Sequence, residues 1–147
     1  MSDDRPPPKP FREPRRARRL KVDYPTEVIG IAAQELPPDT PLAAVYERVQ
    51  PACDFIGLRA RFIVRDLSTN GAFLEGPALP LLSRVKFTFE LEDHGPVHVT
   101  AWTMWRRTAP CTVSSASGPV ELPAGVGVLF ESMDIDARIE IARRSLL

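Results

Sequence analysis

Three features of the sequence predict a mostly β chain, a small antiparallel barrel with one C-terminal helix. The run RVKFTFELE alternates Val85, Phe87, Phe89 and Leu91 with Lys86, Thr88, Glu90 and Glu92, the period-two pattern of a half-buried strand. Short apolar, β-branched segments recur between turn signals, five to seven of them, with no internal repeat. Near the end Ile135, Ile139, Ala142 and Leu146 fall at i, i+4, i+7 and i+11, the spacing of one amphipathic helix.

Pro6, Pro7, Pro8, Pro10 and Pro14 make residues 1–14 a flexible lead-in with no core of its own. YPTEVIGIAA, from Tyr24 to Ala33, is the first strand, its early proline suited to a strand start. Prolines 37, 38, 41 and 51 break up residues 34–57, and Leu42, Val45 and Val49 at helical spacing place one short helix in that connection. A second strand follows from Leu58 and stops at the turn Thr69-Asn70-Gly71, and Ala72-Phe73-Leu74 is a short third. Asp93-His94-Gly95-Pro96 turns RVKFTFELE into the partner strand VHVTAWTMW, a hairpin. Ser, Thr, Pro and Gly make residues 108–123 a long mobile connection, after which GVGVLFE closes the sheet. Asp134 is placed to cap the terminal helix, and the pairs Asp134/Arg138 and Glu140/Arg144 support it at i, i+4.

Composition narrows the function classes. With 147 residues, 44% hydrophobic and 26% charged, the chain suits one globular core. No apolar run approaches the roughly 20 residues of a membrane span, and MSDDRPPPKP lacks the basic end and apolar segment of a secretory signal, so the cytoplasm is the expected address. Cys53 and Cys111 lack CxxC spacing and read as buried or tolerated thiols in a reducing compartment. The formal net charge of zero is uneven. Residues 1–21 hold eight Lys/Arg and three Asp/Glu, net +5, leaving 11 and 16, net −5, for the rest. A basic arm on an acidic body attracts polyanions or single phosphates, and charge alone does not choose between them. The net −5 of the body and the absence of an aromatic-rich strand face argue against a nucleic-acid partner, and none is expected.

Catalysis finds little support. His94 and His98 are the chain's two histidines, both at a hairpin turn, and no HExxH or Walker loop accompanies them. Gly125-Val126-Gly127 lacks the third glycine of a dinucleotide fingerprint and leads into a strand rather than a helix, so close packing accounts for it. No metal site or cofactor is expected.

Two motifs remain. Asp66-Leu67-Ser68-Thr69-Asn70-Gly71 sets a carboxylate and a hydroxyl two residues apart at a strand end, a small polar receptor for N–H donors such as a guanine edge or an arginine fork. Alone it also reads as an ordinary Ser/Asx turn. In RRARRL, Arg15 and Arg19 are four residues apart, each with a planar fork that fits phosphate oxygens and the O6/N7 edge of guanine. Alone that run also reads as solvated charge.

An R-x-x-x-R before the first strand followed by D-x-S-x-x-G between the next two resembles the signature of the PilZ domain family. LKVDYPTEV and GVGVLFESMDIDARIEIARRSLL are similar to that family's first strand and to its closing strand with terminal helix, so the resemblance covers about residues 15–147. It implies a six-stranded antiparallel split barrel that binds cyclic di-GMP, a bacterial second messenger. It further implies that Arg15 and Arg19 contact phosphates and guanine edges, that Asp66 and Ser68 meet the base or the arginines, and that Gly71 sets the turn, with Arg16 and Arg18 as lesser helpers. The implied activity is that of a receptor or adaptor whose arginine arm folds over the ligand and signals to a partner protein. The alternative is a PilZ-fold interaction module independent of the messenger. Trp105 ends a strand and reads as core packing, with base stacking as its second reading. The 34–57 connection is longer and more helical than the family pattern and reads as a partner-binding element or a cover for the ligand face.

Overall fold

The computed structural model describes residues 19–32 and 51–146. The flexible lead-in, Arg15, Arg16, Arg18 and the short helix expected near 42–49 lie outside the described residues. The strands are β1 (Leu20–Gly30), β2 (Arg59–Leu67), β3 (Gly71–Glu75), β4 (Arg84–Leu91), β5 (Gly95–Arg107), β6 (Cys111–Ser115), β7 (Gly118–Leu122) and β8 (Gly125–Met133), followed by one helix, α1 (Ile135–Ser145). Six of the strands close an antiparallel barrel in the order β1-β2-β3-β8-β5-β4. β6 and β7 form a separate two-stranded ribbon.

The alternation expected of RVKFTFELE is what β4 displays. Val85, Phe87, Phe89 and Leu91 face the interior, and Lys86, Thr88 and Glu90 are exposed. Phe62, Val64 and Leu67 of β2, Leu74 of β3, Val97, Val99 and Ala101 of β5, and Val126, Val128 and Phe130 of β8 complete the core with Val28. Burial of each Val, Leu or Phe side chain among them contributes about 1.5–3 kcal/mol before chain entropy is charged against it.

Closure is least regular where β1 meets β4. Only Ile29↔Lys86 and Gly30↔Val85 pair in register there. Further along the seam the Thr26 hydroxyl donates to the Thr88 carbonyl at 2.7 Å, a side chain standing in for a missing ladder bond. Residues leading into β2 cover the end of the seam. Phe55 is buried in the core, and the Gly57 N–H donates to the Gly30 carbonyl at 2.9 Å.

The connection at 108–123, expected to be mobile, instead contains the β6–β7 ribbon, with Val113 opposite Val120. Its composition is that of a loop, but Gly118 at φ 111° turns the chain and Ser115 Oγ donates to the Gly118 carbonyl, so the segment pairs with itself. Both cysteines are exposed and free, which removes the buried reading.

The helix differs from expectation in its rotation. Ala137 and Ile141 are fully buried, whereas Ile135, Ile139 and Leu146 are exposed. Two ties to the β4–β5 hairpin set that rotation. Asp134 makes no capping bond; its Oδ2 accepts the backbone N–H of His98 at 3.1 Å, and at the other end Arg144 donates to the carbonyl of Glu92. The Asp134 carbonyl accepts the Arg138 N–H at 3.0 Å as the first bond of the helix, while the expected Glu140–Arg144 pair forms at 2.8 Å and recruits Arg143.

Ile141→Ala is expected to cost about 2–5 kcal/mol in urea unfolding, and Ile139→Ala less than about 0.5 kcal/mol; equal effects would refute the rotation. Hydrogen bonds from Arg143, then Arg144, lower the Glu140 carboxyl from 4.5 to about 2. A depressed carboxyl stabilises the folded state above its unfolded value, and that contribution fades as pH falls toward the folded one. The side-chain carbon resonance of Glu140 should therefore titrate near 2, with the associated stability intact above pH 4.5.

Candidate functional site

The β2–β3 turn is held by Ser68. Its Oγ accepts the N–H groups of Asn70 at 3.3 Å and Gly71 at 3.1 Å and donates to the Gly71 carbonyl at 3.1 Å, while its own N–H reaches the same carbonyl at 2.9 Å. The hydroxyl expected to face a ligand thus also closes its own turn, as Ser side chains commonly do. Gly71 is required for a reason other than chain reversal. A Cβ there would lie 2.4 Å from the carbonyl oxygen of Val128, because β3 and β8 approach closely at this point.

Asp66 sits on an irregular stretch. The pairing of β2 with β3 shifts between Val64 and Asp66, which leaves Arg65 without a register partner on β3 and sets Phe73 opposite Asp66. Leu67 beside it is fully buried, so Asp66 projects outward, its side chain 17% exposed. Its carboxylate binds the ammonium of Lys21, the residue directly opposite on β1. Arg65 grips Glu75 through Nε and a terminal nitrogen, at 3.0 and 2.9 Å, and approaches Asp23 at 3.5 Å, strapping β1, β2 and β3 together beside the carboxylate. Neither Lys21 nor Arg65 stands out in the sequence. Their signal is the register alone, invisible until β1 is laid on β2.

That register places Arg19. Leu20 pairs with Leu67 and Lys21 with Asp66, so Arg19, exposed and one residue before β1, stands at the position next to Ser68. Arg19 and the Asp66–Ser68–Gly71 turn, far apart along the chain, thus lie at the same end of the β1–β2 pair.

Trp105, expected in the core, is 41% exposed. The buried tryptophan is Trp102, whose indole N–H donates to Glu131 at 3.1 Å under a bidentate Arg84–Glu131 pair. His94 and His98 are exposed, and among the described residues no group of three or more His, Cys, Asp or Glu is placed to hold a metal ion. No described helix is long and apolar enough to cross a membrane.

No family model matches the chain, and no curated protein does. Solved structures do match. The PilZ domain with c-di-GMP of YcgR from Escherichia coli aligns at TM-score 0.51 and 15% identity, over 90% of this chain and 89% of that one. The chain has the PilZ fold. The Bacillus subtilis Inhibitor of motility (MotI/DgrA) aligns at TM-score 0.55 and 8% identity, over 96% of this chain and 55% of that one. At such identities the likeness to PilZ structures is one of backbone.

Gly71→Ala should lower stability by about 1–3 kcal/mol in thermal or urea unfolding, since the added methyl meets a backbone oxygen that cannot swing away. An unchanged unfolding midpoint would contradict the close approach of β3 to β8.

Proposed function

We propose that the chain is a cytoplasmic receptor for cyclic di-GMP, held between the arginines before β1 and the Asp66–Ser68–Gly71 turn, and that binding reshapes the arginine arm for recognition by an effector protein. The observation that carries this reading is the β1–β2 register, which sets Arg19 beside Ser68 and Lys21 against Asp66. Two phosphates and two guanines ask for what these residues offer, guanidinium forks for phosphate and O6/N7 edges and a carboxylate for guanine N–H donors. Arg15 supplies the second fork, with Arg16 and Arg18 assisting. The related fold solved with c-di-GMP supports the same ligand class. No catalytic step belongs to this reading, because recognition and a change of surface complete the task.

A second reading, a PilZ-fold interaction module independent of the messenger, has one observation in its favour. Ile135, Ile139 and Leu146 expose an apolar face on α1.

Calorimetric titration separates them. The full chain should bind cyclic di-GMP in preference to cyclic di-AMP and GTP, and Arg19→Ala or Asp66→Ala should each weaken binding roughly tenfold to a hundredfold, the loss of a charge-assisted hydrogen bond. No heat with cyclic di-GMP would leave the module reading standing.

A further inference from the structure

The outer face of the barrel carries an aromatic platform in line with Asp66. Register partners run from Asp66 on β2 to Phe73 on β3, to Gly127 on β8 and to Trp105 on β5. Leu74, Val126 and Val128, the chain neighbours of Phe73 and Gly127, belong to the interior core, so Phe73 and Gly127 face outward. Gly127 makes room for the indole. A Cβ there would come within 2.0 Å of Trp105 Nε1. The indole stacks on Phe73 with centroids 5.3 Å apart and planes 10° apart. The Arg107 guanidinium lies 5.3 Å from the Phe73 ring and 5.5 Å from the Trp105 ring, and one of its nitrogens donates to the Pro123 carbonyl at 2.7 Å.

A tryptophan that is 41% exposed, seated on a glycine and flanked by a fixed guanidinium, is a surface for a flat, electron-rich ring. Strands lie about 4.8 Å apart, so the three steps from Asp66 to Trp105 span about 14 Å. A cyclic dinucleotide carries its two bases on opposite sides of one ribose–phosphate ring and can reach both places.

We propose that Trp105, supported by Phe73 and Gly127, stacks one purine base of the bound cyclic dinucleotide while the other base meets Asp66 and Ser68, with Arg107 held at the stacked base's edge. This rests on the receptor reading above and extends its site across β3, β8 and β5. Stacking tolerates any base, whereas a guanidinium at the edge favours the O6/N7 pair of guanine.

Tryptophan emission and calorimetry of the full chain, titrated with cyclic di-GMP, test it. Trp105→Leu should bind roughly tenfold to a hundredfold more weakly, the loss of one base–aromatic stack. Trp105→Phe should keep most of the affinity but lose the ligand-induced emission change of the wild type, because Trp102, the other tryptophan, is fully buried and out of reach of a stacked base. Arg107→Gln should narrow the preference for cyclic di-GMP over cyclic di-AMP. If the wild type binds and a folded Trp105→Leu binds as tightly, the platform is refuted and the receptor reading survives. If Trp105→Leu does not fold, an emission spectrum of the wild type unchanged at saturation refutes the platform. A wild type that binds no cyclic di-GMP refutes both.

Discussion

The pairing of Leu20 with Leu67 fixes where the chain enters the barrel. Leu67 is fully buried and Leu20 packs against the same core, so the first pair of the β1–β2 ladder is anchored by apolar contact. A slip of one residue would turn Thr26 and Val28 outward and bring Glu27 into the interior, which the core does not tolerate. The position of every residue at the start of β1 relative to the β2–β3 turn depends on this constraint. Arg19 and Lys21 acquire their neighbours through a hydrophobic pair that bears no charge itself.

The polar groups at the turn are already engaged. Asp66 holds Lys21, and Ser68 is bonded to Asn70 and Gly71. Under the receptor reading, a ligand would exchange one set of partners for another at groups already held in place by these bonds, which would limit the conformational entropy lost on the barrel side. The Arg65 bonds to Glu75 add to that rigidity by joining β2 to β3 next to the carboxylate.

Much of the barrel was legible in the sequence because its strands alternate cleanly, as in β4, and because Asp93-His94-Gly95-Pro96 announces a hairpin. The helix was legible in extent but not in rotation. Ala137 with Ile141 and Ile135 with Ile139 are both apolar pairs at i, i+4, and the choice between them rests on tertiary contacts: the packing of Ala137 and Ile141 into the core and the ties from Asp134 and Arg144 to the β4–β5 hairpin. The ribbon was hidden by loop-like composition, since its strands pair with each other and bury little. At the site, the motif residues were visible as residue types at fixed spacing. Lys21, Arg65 and the outward position of Trp105 were not, because each depends on a bulge or a cross-strand neighbour that no local window contains.

The β6–β7 ribbon leaves the barrel after Arg107 and returns at Gly125, and these two residues are register partners on β5 and β8. The ends of the excursion are therefore brought together by the barrel, which has met the cost of loop closure in advance. Lengthening such an excursion adds only a term logarithmic in its length. The ribbon is thus a point where the chain can gain or lose residues while the strand order and the turn at Ser68 stay as they are, a natural port for grafting a new segment onto an unchanged frame.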